Sequence, residues 1–193
     1  MKVISGILKG RNIEGYNIDG TRPTMDRVKE SLFAMIQDNI KDSTVLDLFA
    51  GSGQLGIEAI SNGATLCYFI DHNNEVIKVL NKNIANLNIK DKSKVILSDW
   101  KKFLNESSSK NIKFDLIFVD PPYDYAVYEK ILEKVSTLNL LNKNGLIILE
   151  HHNHIFKDKY NNLILYKEKK YGNKSVNIYK NNWHLFFYML NFN

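Results

Sequence analysis

The chain has 193 residues, 44% of them hydrophobic and 24% charged, and a formal net charge of +5. That is an ordinary globular composition, enough for one sizeable core. The lone cysteine, Cys67, excludes a disulfide framework and a cysteine-based zinc site, and it suits a reducing compartment. No uncharged run approaches the ~18 residues of a membrane span. The N-terminal apolar stretch, broken by Ser5 and Gly6 and ended by Lys9, is too short for a signal-peptide core. A soluble cytoplasmic protein is expected.

The charge is unevenly placed. Residues 1–150 carry 19 basic and 19 acidic side chains, whereas residues 151–193 carry seven lysines against Asp158 and Glu168. A basic surface attracts polyanions, although a lysine-rich solvated surface gives the same count.

In chain order, residues 1–9 and 11–13 flank Gly10 as a small hairpin. Residues 25–39 are a predicted helix with Val28, Leu32, Phe33 and Ile36 on one face and Thr24 as its N-cap. Residues 45–48 are a short strand, and residues 55–60 a helix stopped by Asn62-Gly63. Residues 66–70 are a second strand ending at Asp71. Val76, Ile77, Leu80, Ile84 and Leu87 then recur at spacings of three and four, one face of a helix.

A third strand at 95–97 is followed by a polar helix at 100–107. Residues 114–119 are nearly all apolar, as a strand buried on both faces should be. Tyr128, Ile131, Leu132 and Val135 mark another helix. A fifth strand at 146–149 follows Asn144-Gly145, and residues 163–166 and 175–179 form a final hairpin around the charged stretch 167–174. Alternating strands and helices predict an α/β fold with a largely parallel sheet and helices on both faces. Ligands in such sheets bind beyond the carboxyl ends of the strands. The predicted organisation is an N-terminal extension at 1–43, a main domain at 44–180 and an aromatic tail at 181–193.

Two motifs follow predicted strands. Gly51, Gly53 and Gly56 fit G-x-G-x-x-G, with Asp71 20 residues after Gly51. Glycines let a backbone approach a ligand, and the carboxylate can accept hydrogen bonds from both hydroxyls of a ribose. The pattern is shared by nicotinamide enzymes, methyltransferases and purely structural turns. Asp47, four residues before Gly51, and the Phe49-Ala50 lead into the loop favour S-adenosylmethionine. Asp99, after the third strand, suits a contact to adenine or a helix cap.

The second motif is Asp120-Pro121-Pro122-Tyr123. An exocyclic amine on a base is a poor nucleophile because its lone pair is delocalised into the ring. A carboxylate and a proline-flanked carbonyl can hold its hydrogens while the nitrogen pyramidalises. The prolines fix φ and remove competing donors. Tyr123 offers a stacking platform for an unstacked base. The structural alternative is a rigid loop capped by Asp120.

With these residues in view, the sequence resembles the amino-methyltransferases with an N/D-P-P-Y/F/W signature. Within them it is similar to the bacterial 16S rRNA guanine-N2 methyltransferase family (RsmD-type). Ile4-Ser5-Gly6-Ile7-Leu8-Lys9-Gly10-Arg11 resembles that family's opening I-x-G-x-x-x-G-R. Arg22-Pro23-Thr24-Met25-Asp26-Arg27-Val28-Lys29-Glu30-Ser31-Leu32-Phe33 resembles its R-P-T-x-D-R-V-R-E-x-L-F. The resemblance implies a seven-stranded class I methyltransferase sheet. It implies S-adenosylmethionine over Asp47, Phe49, Gly51, Gly53, Asp71 and Asp99, with Arg22 and Thr24 near its methionine end. Asp120, Pro121, Pro122 and Tyr123 would hold the target amine. Asp26 and Arg27 serve equally well as first-turn charges of the helix. The implied reaction is methylation of a guanine N2 in 16S rRNA, of the guanine-966 type, by a monomer acting within a small-subunit particle.

DNA amino-methyltransferases use the same motif but usually carry a sizeable recognition region; here Tyr123 to Leu146 leaves room for one helix, and no second domain is expected in 193 residues. A nicotinamide oxidoreductase would need a proton donor near the hydride site, and no Tyr-x-x-x-Lys pair directly follows strand four or five. His151, His152 and His154 are expected to be exposed loop histidines, and no metal site is expected.

Overall fold

A computed structural model describes residues 1–15, 23–121, 126–152 and 154–182; for residues 23–25 and 126 only the backbone is described. The chain divides into two units, Met1–Trp100 and Lys101–Asn193.

In the first unit, β1 (Thr44–Asp47), β2 (Leu66–Asp71) and β3 (Ser93–Leu97) are parallel, in the order β3-β2-β1. Parallel neighbours need crossovers, supplied by α2 (Gln54–Ser61) and α3 (Asn74–Leu87). Val45, Leu46, Cys67, Phe69 and Ile70 have no exposed surface, as strands covered on both faces require. All five apolar positions that predicted α3 are buried. The Asn73 side chain caps α3 by accepting from the Glu75 and Val76 amides.

Helix α1 runs Pro23–Ile36 and a 3-10 turn continues it over Gln37–Asn39. Val28, Leu32, Phe33 and Ile36 are buried as predicted. Thr24, however, lies inside the helix and not at its N-cap. Pro23 opens the helix because its missing N–H and fixed φ suit that position. The expected hairpin at the start of the chain is reduced to one antiparallel bridge, Lys2 to Asn12. Gly6–Leu8 is a 3-10 turn instead of strand. At Gly6, φ is +74° and a Cβ would lie 2.0 Å from the Ser61 carbonyl oxygen, so the chain turns there against α2.

In the second unit the order is β4-β5-β8-β7-β6. Strands β4 (Phe114–Val119) and β5 (Leu141–His151) are parallel, while β8 (Lys174–Asn181), β7 (Leu163–Tyr171) and β6 (Lys159–Tyr160) add on antiparallel. Helices α4 (Trp100–Ser109) and α5 (Ala126–Thr137) lie where helical spacing placed them. Tyr128, Ile131, Leu132 and Val135 are buried.

Three expectations change. Strand β5 starts at Leu141 and passes through Asn144-Gly145, with Asn144 at φ 64° and a register shift opposite Phe114 and Leu116. A bulge absorbs the pair that reads locally as a turn. The charged stretch 167–174 is mostly strand, and only Gly172-Asn173 turn. Strand β6 makes eight strands among the described residues against the seven expected. Asn181 ends β8, and the aromatic tail from 183 onward lies outside the described residues. No helix among the described residues is long and apolar enough to cross a membrane.

Candidate active site

Beyond β1 the chain turns back over the end of β2. The Gly51 amide donates to Asp71 Oδ2 at 3.1 Å, and the Ala50 amide to the Ile70 carbonyl at 2.9 Å. Gly51 and Gly53 adopt φ +55° and +88°, the left-handed region open to glycine. Among the described residues nothing lies within 4 Å of a Cβ placed on Gly51, so the space over the loop is open to a ligand. At Gly56 a Cβ would lie 2.3 Å from the Phe69 ring and 2.6 Å from Cys67 Sγ. The last glycine of the pattern therefore serves helix-on-strand packing, whereas Gly51 faces open space.

Asp71 Oδ1 accepts from the Asn73 amide at 2.9 Å. Each oxygen of this carboxylate holds one backbone donor and keeps further acceptor capacity. Its side chain is 13% exposed. That is the chemistry a vicinal diol requires. The Ser98 amide donates to the Asp71 carbonyl at 3.0 Å, which brings exposed Asp99 to the same end of the unit. Phe49 is half-buried.

Asp47 is buried, and its Oδ2 accepts from the Gly56 amide at 3.0 Å. Burial pushes its carboxyl up to about 7; the Gly56 hydrogen bond opposes the rise and the charge of Asp71 adds to it. A cation placed beside it would favour its ionised form. Arg22 lies outside the described residues, and for Thr24 only backbone is described, in the first turn of α1.

Two brackets that sequence reasoning missed hold the N-terminal segment. Glu58, on α2 with no exposed surface, accepts from the Ile4 amide at 3.0 Å, the Ser5 amide at 2.7 Å and the Ser5 hydroxyl at 2.8 Å. Buried Lys29 of α1 pairs with it at 3.5 Å and donates to the Lys2 carbonyl at 3.1 Å. Asn83 of α3 donates to the Glu14 carbonyl at 2.9 Å and to the Ser52 carbonyl at 3.0 Å, and accepts from the Glu14 amide at 2.8 Å. Residue 14 is thus fixed against the glycine loop. The available signal was a polar residue on an otherwise apolar helix face: Glu58 within Ile57-Glu58-Ala59-Ile60, and Asn83 beside Leu80 and Ile84.

In the second unit, Asp120 and Pro121 follow β4 directly; Asp120 is exposed and Pro121 buried. Pro122 and Tyr123 lie outside the described residues. Val119 pairs with Leu149, so β5 carries Glu150 and His151 alongside the motif. The Tyr128 hydroxyl donates to the Glu150 carbonyl at 2.6 Å and anchors α5 there.

His151 is not an exposed loop residue. It is 2% exposed within β5, its Nε2 is 2.7 Å from Asn177 Oδ1, and its Nδ1 accepts from the His154 amide at 3.2 Å. These partners assign the proton to Nε2, and burial lowers its pKa below the usual histidine value. Its ring packs against Phe156 at 4.8 Å between centroids. His152 is exposed and His154 half-buried. Among the described residues no group of three His, Cys, Asp or Glu side chains is placed to hold a metal ion.

Each motif thus sits at the carboxyl end of parallel strands in its own unit, the glycine loop with Asp71 in one and Asp120-Pro121 in the other. This is the fold of the class I S-adenosylmethionine-dependent methyltransferases. The solved structure of yhhF, an Escherichia coli methyltransferase by name, superposes with a TM-score of 0.84 at 31% identity, covering 94% of this chain and 98% of that one. A family model described as "Conserved hypothetical protein 95" matches residues 1–180. YlbH of Bacillus subtilis, named as an rRNA methyltransferase, is 35% identical over 93% of this chain and 98% of its own. Ribosomal RNA small subunit methyltransferase D of Haemophilus influenzae is 36% identical over 94% of each. The chain belongs to the conserved hypothetical protein 95 family, the family of these small-subunit methyltransferases.

Proposed function

We propose that this chain transfers the methyl group of S-adenosylmethionine to the exocyclic N2 amine of a guanine in 16S rRNA, of the guanine-966 type, as a monomer acting on the small-subunit particle. The observation that carries this reading is the Asp120-Pro121 pair directly after buried β4 in a chain whose glycine loop leaves open space over Gly51 and acceptor capacity on Asp71.

When bound, S-adenosylmethionine supplies an electrophilic methyl on a sulfonium. The residues fit it. Asp71 accepts the two ribose hydroxyls, Asp99 the adenine amino group, and Phe49 lines the adenosine. Gly51 would allow close approach of backbone, Gly53 would serve the cofactor by letting the loop turn at positive φ against Leu80 and Ile57, and Asp47 would face the ammonium of the methionine end. Arg22 and Thr24 complete that end. Asp120 and a proline-flanked carbonyl at 121–122 each accept one hydrogen of the guanine amine, and Tyr123 stacks on the base. Formation of the new nitrogen–carbon bond would break the methyl–sulfur bond, its electron pair staying on the sulfur of the departing S-adenosylhomocysteine, and the cationic amine would then lose its proton to solvent. Asp120 therefore acts as an acceptor that orients the amine, with no strong base required.

The test is incubation with labelled S-adenosylmethionine and small subunits that lack the modification. Label should appear in 16S rRNA as N2-methylguanosine. Asp120→Ala should lower the rate on the order of 100-fold or more, with cofactor affinity unchanged. Asp120→Asn, which keeps an acceptor oxygen, should retain most of the activity. Label in adenine or in duplex DNA would reverse the assignment.

A further inference from the structure

The hairpin β7–β8 has two electrically different faces, and a bulge separates them. Leu165 pairs with Tyr179 but Lys167 pairs with Ile178, so Tyr166 is an extra residue. Before the bulge Ile164 is opposite Lys180; after it Lys167, Lys169 and Tyr171 are opposite Ile178, Val176 and Lys174. Alternation along β8 places Lys180, Ile178, Val176 and Lys174 on one face. Lys167, Lys169 and Tyr171 share that face with them; Ile178 and Val176 are buried, so the accessible part of the face is β7 with Lys174 and Lys180 of β8. Were Tyr166 paired regularly with Ile178, Lys167 would stand opposite Asn177 and Glu168 opposite Val176, where Lys169 now is, and the two faces of β7 would be exchanged.

The other face holds the acids. Glu168 is opposite Asn177, next to Tyr179 in that face, and the field of Asp158, Glu168 and Glu129 acts on the Tyr179 hydroxyl. This face is covered: Tyr179 donates to the Lys157 carbonyl at 2.7 Å, its ring meets Tyr160 at 5.7 Å, and Tyr160 donates to Glu129 of α5 at 3.0 Å.

On the basic face Tyr166 is 50% exposed. Lys167 Nζ and Lys180 Nζ lie 5.0 Å and 5.5 Å from its ring centre, and Lys169 Nζ lies 5.4 Å from that of Tyr171. Lys174 pairs with Glu150 of β5. Lysines two residues apart on a strand are roughly 6.8 Å apart, and aromatic rings among them offer a stacking surface for a base. Four of the seven lysines in residues 151–193 lie on this face.

We propose that this face of the hairpin binds RNA, with Lys167, Lys169 and Lys180 on backbone phosphates and Tyr166 against an unpaired base; the assignment to rRNA rests on the reading under Proposed function. Phosphate contacts release counterions, so each one removed changes the salt dependence of binding.

The experiment is a salt titration of binding to 16S rRNA lacking the modification. Lys167→Ala/Lys169→Ala/Lys180→Ala should weaken binding about 10- to 100-fold near 0.1 M salt and reduce the slope of log K against log salt by about 2–3. Tyr166→Ala should weaken binding with the slope unchanged. Lys170→Ala, on the acidic face, should do neither. S-adenosylmethionine affinity and thermal midpoint serve as controls for folding. Wild-type slope and affinity in the triple variant, or a loss from Lys170→Ala as large as that from Lys169→Ala, would overturn the surface and leave the methylation reading standing. Failure of the wild-type chain to bind 16S rRNA, either free or in small subunits lacking the modification, would overturn both.

Discussion

The Asp71 carboxylate accepts the Gly51 amide proton across 20 residues of sequence, at 3.1 Å. One hydrogen bond thus ties the end of β2 to the glycine loop that follows β1. The loop is held before any ligand arrives, and the acceptor that would take a ribose is held by the loop. Such preorganisation lowers the ordering cost of binding. Asp71→Ala should therefore raise the dissociation constant for S-adenosylmethionine by on the order of 10- to 100-fold, the worth of one or two charge-assisted hydrogen bonds. Calorimetric titration checks this, and an unchanged constant would remove Asp71 from the site.

The glycines separate structural from ligand-facing roles. Gly56→Ala would drive a methyl into Phe69 and Cys67, and overpacking of this kind costs about 1–3 kcal/mol. Gly51→Ala meets no atom of the described residues within 4 Å, and at φ +55° it costs only about 1 kcal/mol in backbone strain. It should nevertheless weaken cofactor binding, because the added methyl enters the open space. Urea unfolding and cofactor titration on both variants should give opposite rankings.

Asp47 makes stability depend on pH. Its carboxyl rises from 3.8 to about 7 on folding, so between these values the folded chain binds more protons than the unfolded one. Stability from this group is complete below the unfolded value, declines as pH rises, and is gone above the folded value. In Asp47→Asn that decline, up to about 4 kcal/mol, should disappear, leaving the ligand-free variant more stable than the parent at pH 8. S-adenosylmethionine should bind the variant more weakly if its ammonium sits beside Asp47. Chemical denaturation between pH 5 and 8 reads the first effect; an identical pH dependence in both proteins would contradict it.

Glu58 carries the N-terminal segment. Removing it leaves buried Lys29 and the Ile4 and Ser5 donors without their acceptor. Breaking one side of a buried ion pair costs about 3–5 kcal/mol, and Glu58→Ala should lose that much in urea unfolding. Adding Lys29→Met should recover part of the loss, since the uncompensated charge goes with it. A loss below about 0.5 kcal/mol would mean that the segment detaches at little cost.

Much of this fold is legible in the chain because its cues are local. The apolar face of α3 repeats at helical spacing. Strand β4 is recognisable as a run with no polar face, and both motifs carry their chemistry in consecutive residues. The resemblance that narrows the substrate rests on residues 4–11 and 22–33, again short and contiguous.

What the tertiary structure alone decided involves partners far apart in sequence. Asn144-Gly145 has turn composition, yet Leu141 before it and Leu146 after it both pair with β4, which keeps it within a strand at the cost of a bulge. His151 lies in a polar run that reads as loop, and only pairing of β5 with β8 supplies Asn177 and buries it. Glu58 and Asn83 are single polar residues in apolar helix faces, and their partners lie 29 to 69 residues away. The sorting of lysines from acids in the final hairpin depends on one extra residue at Tyr166, because a one-residue change of register exchanges the faces of a strand. Sequence by itself determined which elements form and which residues carry the chemistry, since both follow from period and local composition. Burial, register and long-range hydrogen bonding were decided in the folded chain, where polar groups taken out of water must find partners wherever the topology brings them.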